Sequence, residues 1–242
     1  MGQDSKNRIY ENYTRHVAQQ QDVSGEGLKR WQSYYQANYA RFLPLDKNAK
    51  ILDIGCGYGR VLYFLRCAGY NNMAGIDISP QQIEAAKKNG FAQAECASAF
   101  EYLADKKEQF DMIFMIDILE HIEKAEVVKL LDRILLALKP SGRLILQLPN
   151  ALTPLNVYLY RDFTHETAFT VTSIEQILTV ANFQNIKTYP IPPHIHGPKS
   201  LLFNLIWRVF WQNLIRFYML TANGDLMGDI YTSNFAAVAE KR

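Results

Sequence analysis

The chain has 242 residues, of which 48% are hydrophobic and 21% are charged, enough apolar material for one α/β domain with its own core. Lys and Arg number 26 against 24 Asp and Glu, and the net charge of +2 gives no sign of a nucleic-acid partner. The three cysteines include no C-x-x-C pair, which argues against a disulfide framework and is typical of a reducing compartment. The polar N-terminus lacks the apolar core of a secretory signal, so the sequence predicts a cytoplasmic protein.

The sequence has two regions with different residue patterns. Residues 1–45 are polar and aromatic, with Trp31, Tyr34 and Tyr35 at roughly helical spacing, and they predict an N-terminal helical cap. From residue 46 onward, short apolar runs alternate with amphipathic segments, the pattern of βαβ units around a parallel sheet. Strands are predicted near 50–55, 73–77, 91–96, 111–117, 143–148, 184–190 and 230–239. Helices are predicted near 58–68, 80–89, 99–105, 123–138 and 172–181.

The segment 199–221 lies in a predicted insertion, residues 190–225, near the acceptor site. It is apolar except for a polar residue at every fourth position: Asn204, Arg208, Gln212 and Arg216. This stripe argues against a membrane span and favours a helix packed on the domain or on a second subunit of a homo-oligomer. A peripheral membrane-surface helix over 201–220 is the alternative, because Trp207, Trp211 and the arginines suit an interface.

The motif ILDIGCGYGR places Gly55, Gly57 and Gly59 directly after a strand. Glycines let the backbone turn sharply and approach a ligand without obstruction by Cβ atoms. The spacing differs from the G-x-G-x-x-G of dinucleotide-binding folds. Asp53, two residues before the first glycine, would repel a pyrophosphate but suits a ligand that carries an ammonium and a sulfonium group.

The second motif, GIDISP, places Asp77 at the end of the next strand, 22 residues after Gly55. A carboxylate there can accept hydrogen bonds from both hydroxyls of a ribose. A turn or helix-capping role for Asp77 is the alternative.

The segments ILDIGCGYGR, GIDISP, FDMIFMIDILEHI and LKPSGRLILQLPN, over about residues 45–150, together resemble the class I S-adenosylmethionine (SAM)-dependent methyltransferases. The resemblance implies a doubly wound, seven-stranded, mostly parallel α/β sheet of the Rossmann-like type, with the last strand antiparallel. It implies SAM as cofactor, with S-adenosylhomocysteine as product. By position it assigns these residues to the cofactor: Asp53, Gly55, Cys56, Gly57, Tyr58, Gly59, Asp77, Ile78, Ser98, Ala99 and Asp117.

The residues that bind the methyl acceptor are expected in the part of the chain that follows the fifth strand. The Asn-Pro-Pro-Tyr loop of amino-group methylases is absent, which favours an oxygen or carbon acceptor. In YRDFTHETAFT, His165 is the candidate general base, oriented by Asp162 or Glu166, and Arg161 is a candidate for binding an anionic group. His121 is the next candidate base. A turn network without a catalytic role is the alternative for this loop.

Three further residues are assigned to substrate binding: Asn150, His194 and His196. No metal is predicted. From RDFTHETAFT to the tryptophan-rich helix the chain also loosely resembles a bacterial methyltransferase branch associated with capsule and lipopolysaccharide biosynthesis. That resemblance implies methylation of a hydroxyl or phosphate-type oxygen on a surface-glycan precursor. The alternatives are an O- or C-methyltransferase of a small hydrophobic quinone or polyketide, and a non-catalytic SAM-binding adaptor.

Overall fold

The computed structural model describes residues 22–154, 157–193, 197–226 and 228–242. Seven strands form one sheet in the order β3-β2-β1-β4-β5-β7-β6. The pairings from β3 through β5 are parallel, and β7 runs antiparallel to both β5 and β6. The predicted doubly wound fold with an antiparallel last strand is confirmed.

The strands are β1 Ile51–Ile54, β2 Met73–Asp77, β3 Ala94–Cys96, β4 Phe110–Ile116, β5 Leu138–Pro149, β6 Gln184–Ile191 and β7 Asn234–Glu240. The first helices are α1 Gly25–Tyr39, α2 Arg60–Cys67, α3 Pro80–Lys88, α4 Ala99–Tyr102 and α5 Val127–Ala137. They are followed by α6 Val157–Tyr160, α7 Val171–Val180, α8 Pro198–Ile206 and α9 Gln212–Asn223. A π-helical turn, Trp207–Trp211, joins α8 to α9.

The core has one layer on each face of the sheet, because side chains along each strand alternate between the two faces. In β4, Ile113 and Met115 pack into the layer beneath α5 and α7. Met112 and Phe114 point the other way, into a layer with buried residues of α1 and α2. The sheet is therefore covered on both sides, which explains why its central strands are continuous apolar runs.

Helix α1 contributes directly to the second layer. Ser24 caps it by accepting a hydrogen bond from the Glu26 N–H. Tyr35 and Tyr39 are buried, and the Tyr35 ring stacks on Phe64 of α2 at 6.0 Å between centroids. Aromatic packing therefore anchors this helix to the sheet.

The structure corrects several predicted boundaries. The helix predicted near 172–181 begins at Val171, and its cap is Thr170, paired with Ser173 in a capping box. Strand β5 begins at Leu138, which pairs with Phe110 across a register shift, so the long helix ends one residue earlier. No helix among the described residues is both long and apolar enough to cross a membrane.

Candidate active site

The glycine loop connects β1 to α2 at the point where the strand order reverses, between β1 and β4, which is where open α/β sheets bind ligands. Gly55, Gly57 and Gly59 all have positive φ, at 75°, 51° and 99°. A Cβ on Gly55 would lie 2.1 Å from Ile118 Cδ1, and one on Gly59 would lie 2.5 Å from Phe91 Cδ2. Both the left-handed backbone and the close packing require glycine at these positions.

Asp77, at the end of β2, is linked to this loop by a hydrogen bond. Its Oδ2 accepts from the Gly57 N–H at 2.9 Å, and its Oδ1 accepts from the Ser79 N–H at 2.8 Å. Burial raises the pKa of this carboxyl despite those two bonds. A carboxylate offers about four acceptor positions, so both oxygens retain capacity for ribose hydroxyls. The turn role is confirmed, and the ribose role stays a prediction.

Asp53 carries a buried carboxylate whose negative charge is not compensated. Its side chain is only 2% exposed, and Oδ2 has no hydrogen-bond partner in the part of the chain that the structure describes. Burial, together with the charge of Asp77, raises its pKa well above the usual range. Because an isolated buried carboxylate is costly, this group fits a cationic ligand. The ammonium and sulfonium of SAM, the cofactor that the resemblance implies, would supply that charge, and this contact stays a prediction.

Asp117 ends β4 with a left-handed backbone, φ 54°, a conformation uncommon outside glycine and frequent at functional sites. Both its carboxylate oxygens accept from Gln147 Nε2 at 2.9 Å. Gln147 Oε1 in turn accepts from the hydroxyls of Tyr34 and Tyr39 on α1. Helix α1 is thereby tied to the cofactor end of β4.

The sequence analysis missed Gln147. A single amide in the apolar strand LILQLP was the available signal, since a buried polar group must be hydrogen-bonded. Tyr34 of the predicted N-terminal cap is part of this network, because its hydroxyl donates to Gln147 at 2.5 Å and its side chain is buried.

The other predicted cofactor residues differ in the exposure and the hydrogen bonding of their side chains. Ile78 is 49% exposed and offers an apolar surface for adenine. Cys56 and Tyr58 have buried side chains. Ser98 caps α4, which begins at Ala99: its Oγ accepts from the Glu101 N–H and lies 2.8 Å from Glu101 Oε2. Hydrogen bonding of Ser98 to the adenine amino group stays a prediction.

Next to Asp117, the turn Leu119–His121 meets the loop after α6. The backbone carbonyl of Glu120 accepts from the N–H groups of Glu166 and Thr167 at 2.8 and 3.1 Å. The imidazoles of His121 and His165 lie 4.7 Å apart between centroids, with 66° between the ring planes. The two histidines predicted separately as candidate bases therefore form one cluster.

Each imidazole in this cluster is held at Nδ1. His165 Nδ1 lies 2.8 Å from the carbonyl oxygen of Leu159, which can only accept, so Nδ1 carries the proton. His121 Nδ1 lies 2.8 Å from Thr164 Oγ1. Burial and the neighbouring His165 lower the pKa of His121 to about 4, so this ring is neutral near pH 7. In neutral His165, Nε2 then carries a lone pair that can accept a proton.

The Leu159 carbonyl holds the ring of His165 at Nδ1, a contact that the sequence did not predict, and the orienting role of Asp162 or Glu166 stays a prediction. Asp162 Oδ1 accepts from the Thr164 hydroxyl at 2.6 Å and the Thr164 N–H at 2.9 Å. Burial alone would raise the pKa of Asp162, but these bonds lower it. Asp162 therefore acts on His121 through Thr164, which the sequence did not single out. The side chain of Glu166 is exposed.

Glu120 completes the cluster. It is 1% exposed, and neither carboxylate oxygen has a hydrogen-bond partner among the described residues. Burial and the charge of Asp117 raise its pKa well above the usual range. Its Oε1 lies 4.0 Å from His165 Nε2. A buried carboxyl without partners indicates a site that a proton or a cation completes.

Glu120, His121 and His165 could also hold a metal ion. Each places one donor atom within 4.8 Å of the other two, and two imidazoles with a carboxylate are a common ligand set for divalent metals. The hydrogen bonds at both Nδ1 atoms resemble those that orient metal-binding histidines. No metal was predicted from the sequence, where the ligands considered were His194 and His196 with Asp162 or His165.

The remaining predicted substrate residues lie elsewhere or serve the fold. Asn150 is buried, with Nδ2 donating to the carbonyls of Ile230 and Thr232 and Oδ1 accepting from the Leu152 N–H. Its amide is satisfied by backbone groups, so the predicted substrate contact does not fit its surroundings. Arg161 is exposed on the loop of His165. His194 and His196 lie outside the described residues.

The strand order, the glycine loop and the buried Asp53, whose Oδ2 has no partner among the described residues, together define a nucleoside-cofactor α/β protein of the SAM-binding class. Residues 28–188, more than half of the chain, match the family described as a methyltransferase domain. The chain belongs to this family and has SAM as its cofactor. A structure described as a SAM-dependent methyltransferase from Archaeoglobus fulgidus has the same fold, with a TM-score of 0.66 and 19% identity over 88% of this chain and 94% of that chain.

Two curated relatives are methyltransferases. The mitochondrial ubiquinone biosynthesis O-methyltransferase of Schizosaccharomyces pombe is 33% identical over 105 residues, which are 40% of this chain and 36% of that protein. The 27-O-demethylrifamycin SV methyltransferase of Amycolatopsis mediterranei is 33% identical over 115 residues, 44% of this chain and 41% of that protein. The chain therefore spans well under half the length of these relatives.

Proposed function

We propose that this chain transfers the methyl group of SAM to a hydroxyl oxygen of a small hydrophobic acceptor of the quinone or polyketide type. The observation that carries the proposal is the cluster of Glu120, His121 and His165 beside Asp117. It supplies a proton acceptor at the edge of the sheet where the cofactor motifs meet. The names of the two curated relatives, one from ubiquinone biosynthesis and one from rifamycin methylation, support this acceptor class.

In the proposed reaction, the acceptor oxygen attacks the methyl carbon in line with the sulfur. The O–CH₃ bond forms, the C–S bond breaks, and S-adenosylhomocysteine leaves as the neutral thioether. SAM carries an already activated methyl group, so the main contribution of the protein is alignment. The hydroxyl proton passes to Nε2 of His165, which is left as the acceptor because Nδ1–H donates a hydrogen bond to the Leu159 carbonyl.

A divalent cation on the same three side chains would do equivalent work by lowering the pKa of the bound hydroxyl. The two roles separate under chelation. Dialysis against EDTA, followed by restoration with Mg²⁺, Mn²⁺ or Zn²⁺, should abolish and then restore turnover if a metal acts. Turnover that survives chelation and is lost in His165→Ala assigns the proton to histidine alone.

The predicted surface-glycan acceptor lacks support among these relatives, and an acceptor panel separates the two classes. Methyl-tritiated SAM is incubated with hydroxylated aromatic compounds, with quinols and with nucleotide sugars, and label is measured in organic and aqueous phases. We expect label in the organic phase that is lost in His165→Ala, with S-adenosylhomocysteine affinity retained. Label confined to nucleotide sugars would overturn the proposed acceptor class. Cofactor binding without transfer to any acceptor would favour the adaptor alternative.

A further inference from the structure

The segment 198–223, comprising α8, the π-helical turn and α9, is here named the aromatic helix. Twelve of its large apolar side chains are 42% to 66% exposed, whereas within it only Asn204 and Met219 are buried. The consecutive residues Leu201, Leu202 and Phe203 are each more than half exposed. Because successive residues on a helix point about 100° apart, the apolar surface is not limited to one stripe.

The charge on this helix is entirely positive. It carries Lys199, Arg208 and Arg216 and has no acidic residue. Asp225 and Asp229 follow it, and Asp229 pairs with Arg216 at 2.5 Å. A helix that combines exposed aromatic and aliphatic side chains with cations and tryptophans has the composition of segments that bind anionic membrane surfaces.

A cavity of about 380 Å³ lies against the same helix. Its lining includes Pro193, Phe203, Asn204, Trp207 and Trp211. Asn204 Nδ2 and Trp207 Nε1 are buried donors without a hydrogen-bond partner among the described residues. Two unmet N–H donors in an apolar cavity fit a carbonyl oxygen on an apolar chain, which is what a glycerolipid ester presents.

Strand β6, which precedes the aromatic helix, ends on the side of the sheet where the active site is. Ile191, at the end of β6, pairs with Asn234, and Asn234 pairs with Pro149 at the carboxyl end of β5. The segment that leads to the helix therefore leaves the sheet at the edge where β1, β2 and β4 present Asp53, Asp77 and Asp117. A surface bound there would be next to the acceptor loop.

We propose that the aromatic helix docks on an anionic glycerolipid bilayer, with Asn204 and Trp207 donating to a lipid ester carbonyl. The exposed apolar side chains enter the interface, and Lys199 and Arg208 meet the phosphates. This inference stands apart from the proposed methyl transfer, because lipid binding is measured without an acceptor.

Vesicle flotation tests the proposal with the full chain. We expect wild type to float with vesicles of equimolar phosphatidylcholine and phosphatidylglycerol and to remain in solution with phosphatidylcholine alone. The double variant Phe210→Glu/Phe217→Glu should bind at least tenfold more weakly. The matched control Leu136→Glu/Val180→Glu places the same charges at comparably exposed positions, 56% and 60%, and should bind like wild type. Arg208→Gln should weaken binding about fivefold.

Two readouts keep the test decisive. Brominated lipids should quench the tryptophan fluorescence of wild type and should quench Trp207→Phe/Trp211→Phe much less, while calorimetry with S-adenosylhomocysteine reports folding of each variant. Wild-type protein that does not float with anionic vesicles would overturn the proposal. So would a dimer seen by light scattering that dissociates in Phe210→Glu/Phe217→Glu without any vesicle binding, which would make the aromatic helix a subunit interface.

Discussion

Replacing Asp53 by asparagine should change stability and cofactor affinity in opposite directions. The carboxylate is 2% exposed, and its Oδ2 has no partner among the described residues. An amide of the same shape removes the buried charge, so the unfolding free energy of the cofactor-free protein should rise by about 1 to 3 kcal/mol near pH 7. The same change removes the charge that faces the SAM cation, and SAM affinity should fall by about tenfold or more, or ~1.4 kcal/mol.

Urea unfolding without cofactor measures the first effect, and calorimetric titration with SAM measures the second. Asp132→Asn is the matched control, since Asp132 is exposed on α5 and its loss should change stability by less than about 0.5 kcal/mol. The loss of affinity in Asp53→Asn should be smaller for S-adenosylhomocysteine than for SAM, because S-adenosylhomocysteine has no sulfonium charge. An Asp53→Asn protein that is less stable, or that binds SAM like wild type, would refute the electrostatic account of this site.

Three other changes probe the surroundings of the site. Gly59→Ala would place Cβ 2.5 Å from Phe91 in a left-handed backbone, so we expect the free energy of unfolding to fall by about 1 to 3 kcal/mol. An unchanged melting temperature in thermal unfolding would contradict this. Tyr39→Phe removes one hydroxyl donor to Gln147 and should cost about 1 kcal/mol in urea unfolding, and no cost would show that the network is not formed. Because burial next to a second imidazole lowers the pKa of His121 to about 4, the unfolded chain takes up this proton first as pH falls, so stability should drop by about 2 kcal/mol from pH 7 to pH 5. His121→Gln should lose that part of the pH dependence, and an identical pH profile would refute the burial argument.

The fold was predictable because its signals are local. Short apolar runs, the Ser79–Pro80 helix start and the glycine spacing each depend on a few neighbouring residues, and the structure confirms the strands and the order of elements they predict. The left-handed backbone at Gly55 and Gly59 was likewise readable, since only glycine adopts it without strain. Boundaries were less accurate because they depend on pairing with distant strands.

The hydrogen-bond networks were not predictable because they join residues far apart in the chain. Gln147 meets Tyr39 across 108 positions, and Thr164 meets His121 across 43. The ring of His165 is held by a backbone carbonyl, which no side-chain pattern can show. Sequence reasoning identified both histidines as candidate bases but could not bring them into one cluster with Glu120.

The surface-glycan acceptor lacks support for a different reason. It rested on a loose resemblance over a region with few motifs, whereas the stronger similarity covers less than half of the chain and is to methyltransferases of ubiquinone biosynthesis and of rifamycin. The Glu120 carboxyl is buried beside two imidazoles and has no hydrogen-bond partner among the described residues, which is compatible with the proposed deprotonation of a hydroxyl.

The most direct test of O-methyl transfer uses SAM labelled with ¹³C in its methyl group and a hydrophobic hydroxylated acceptor. The carbon chemical shift of the product reports which atom received the methyl group. We predict an O-methyl ether, formed together with S-adenosylhomocysteine and absent in His165→Ala. A methyl group found on nitrogen, or bound SAM that is never consumed with any hydroxylated acceptor, would contradict the account.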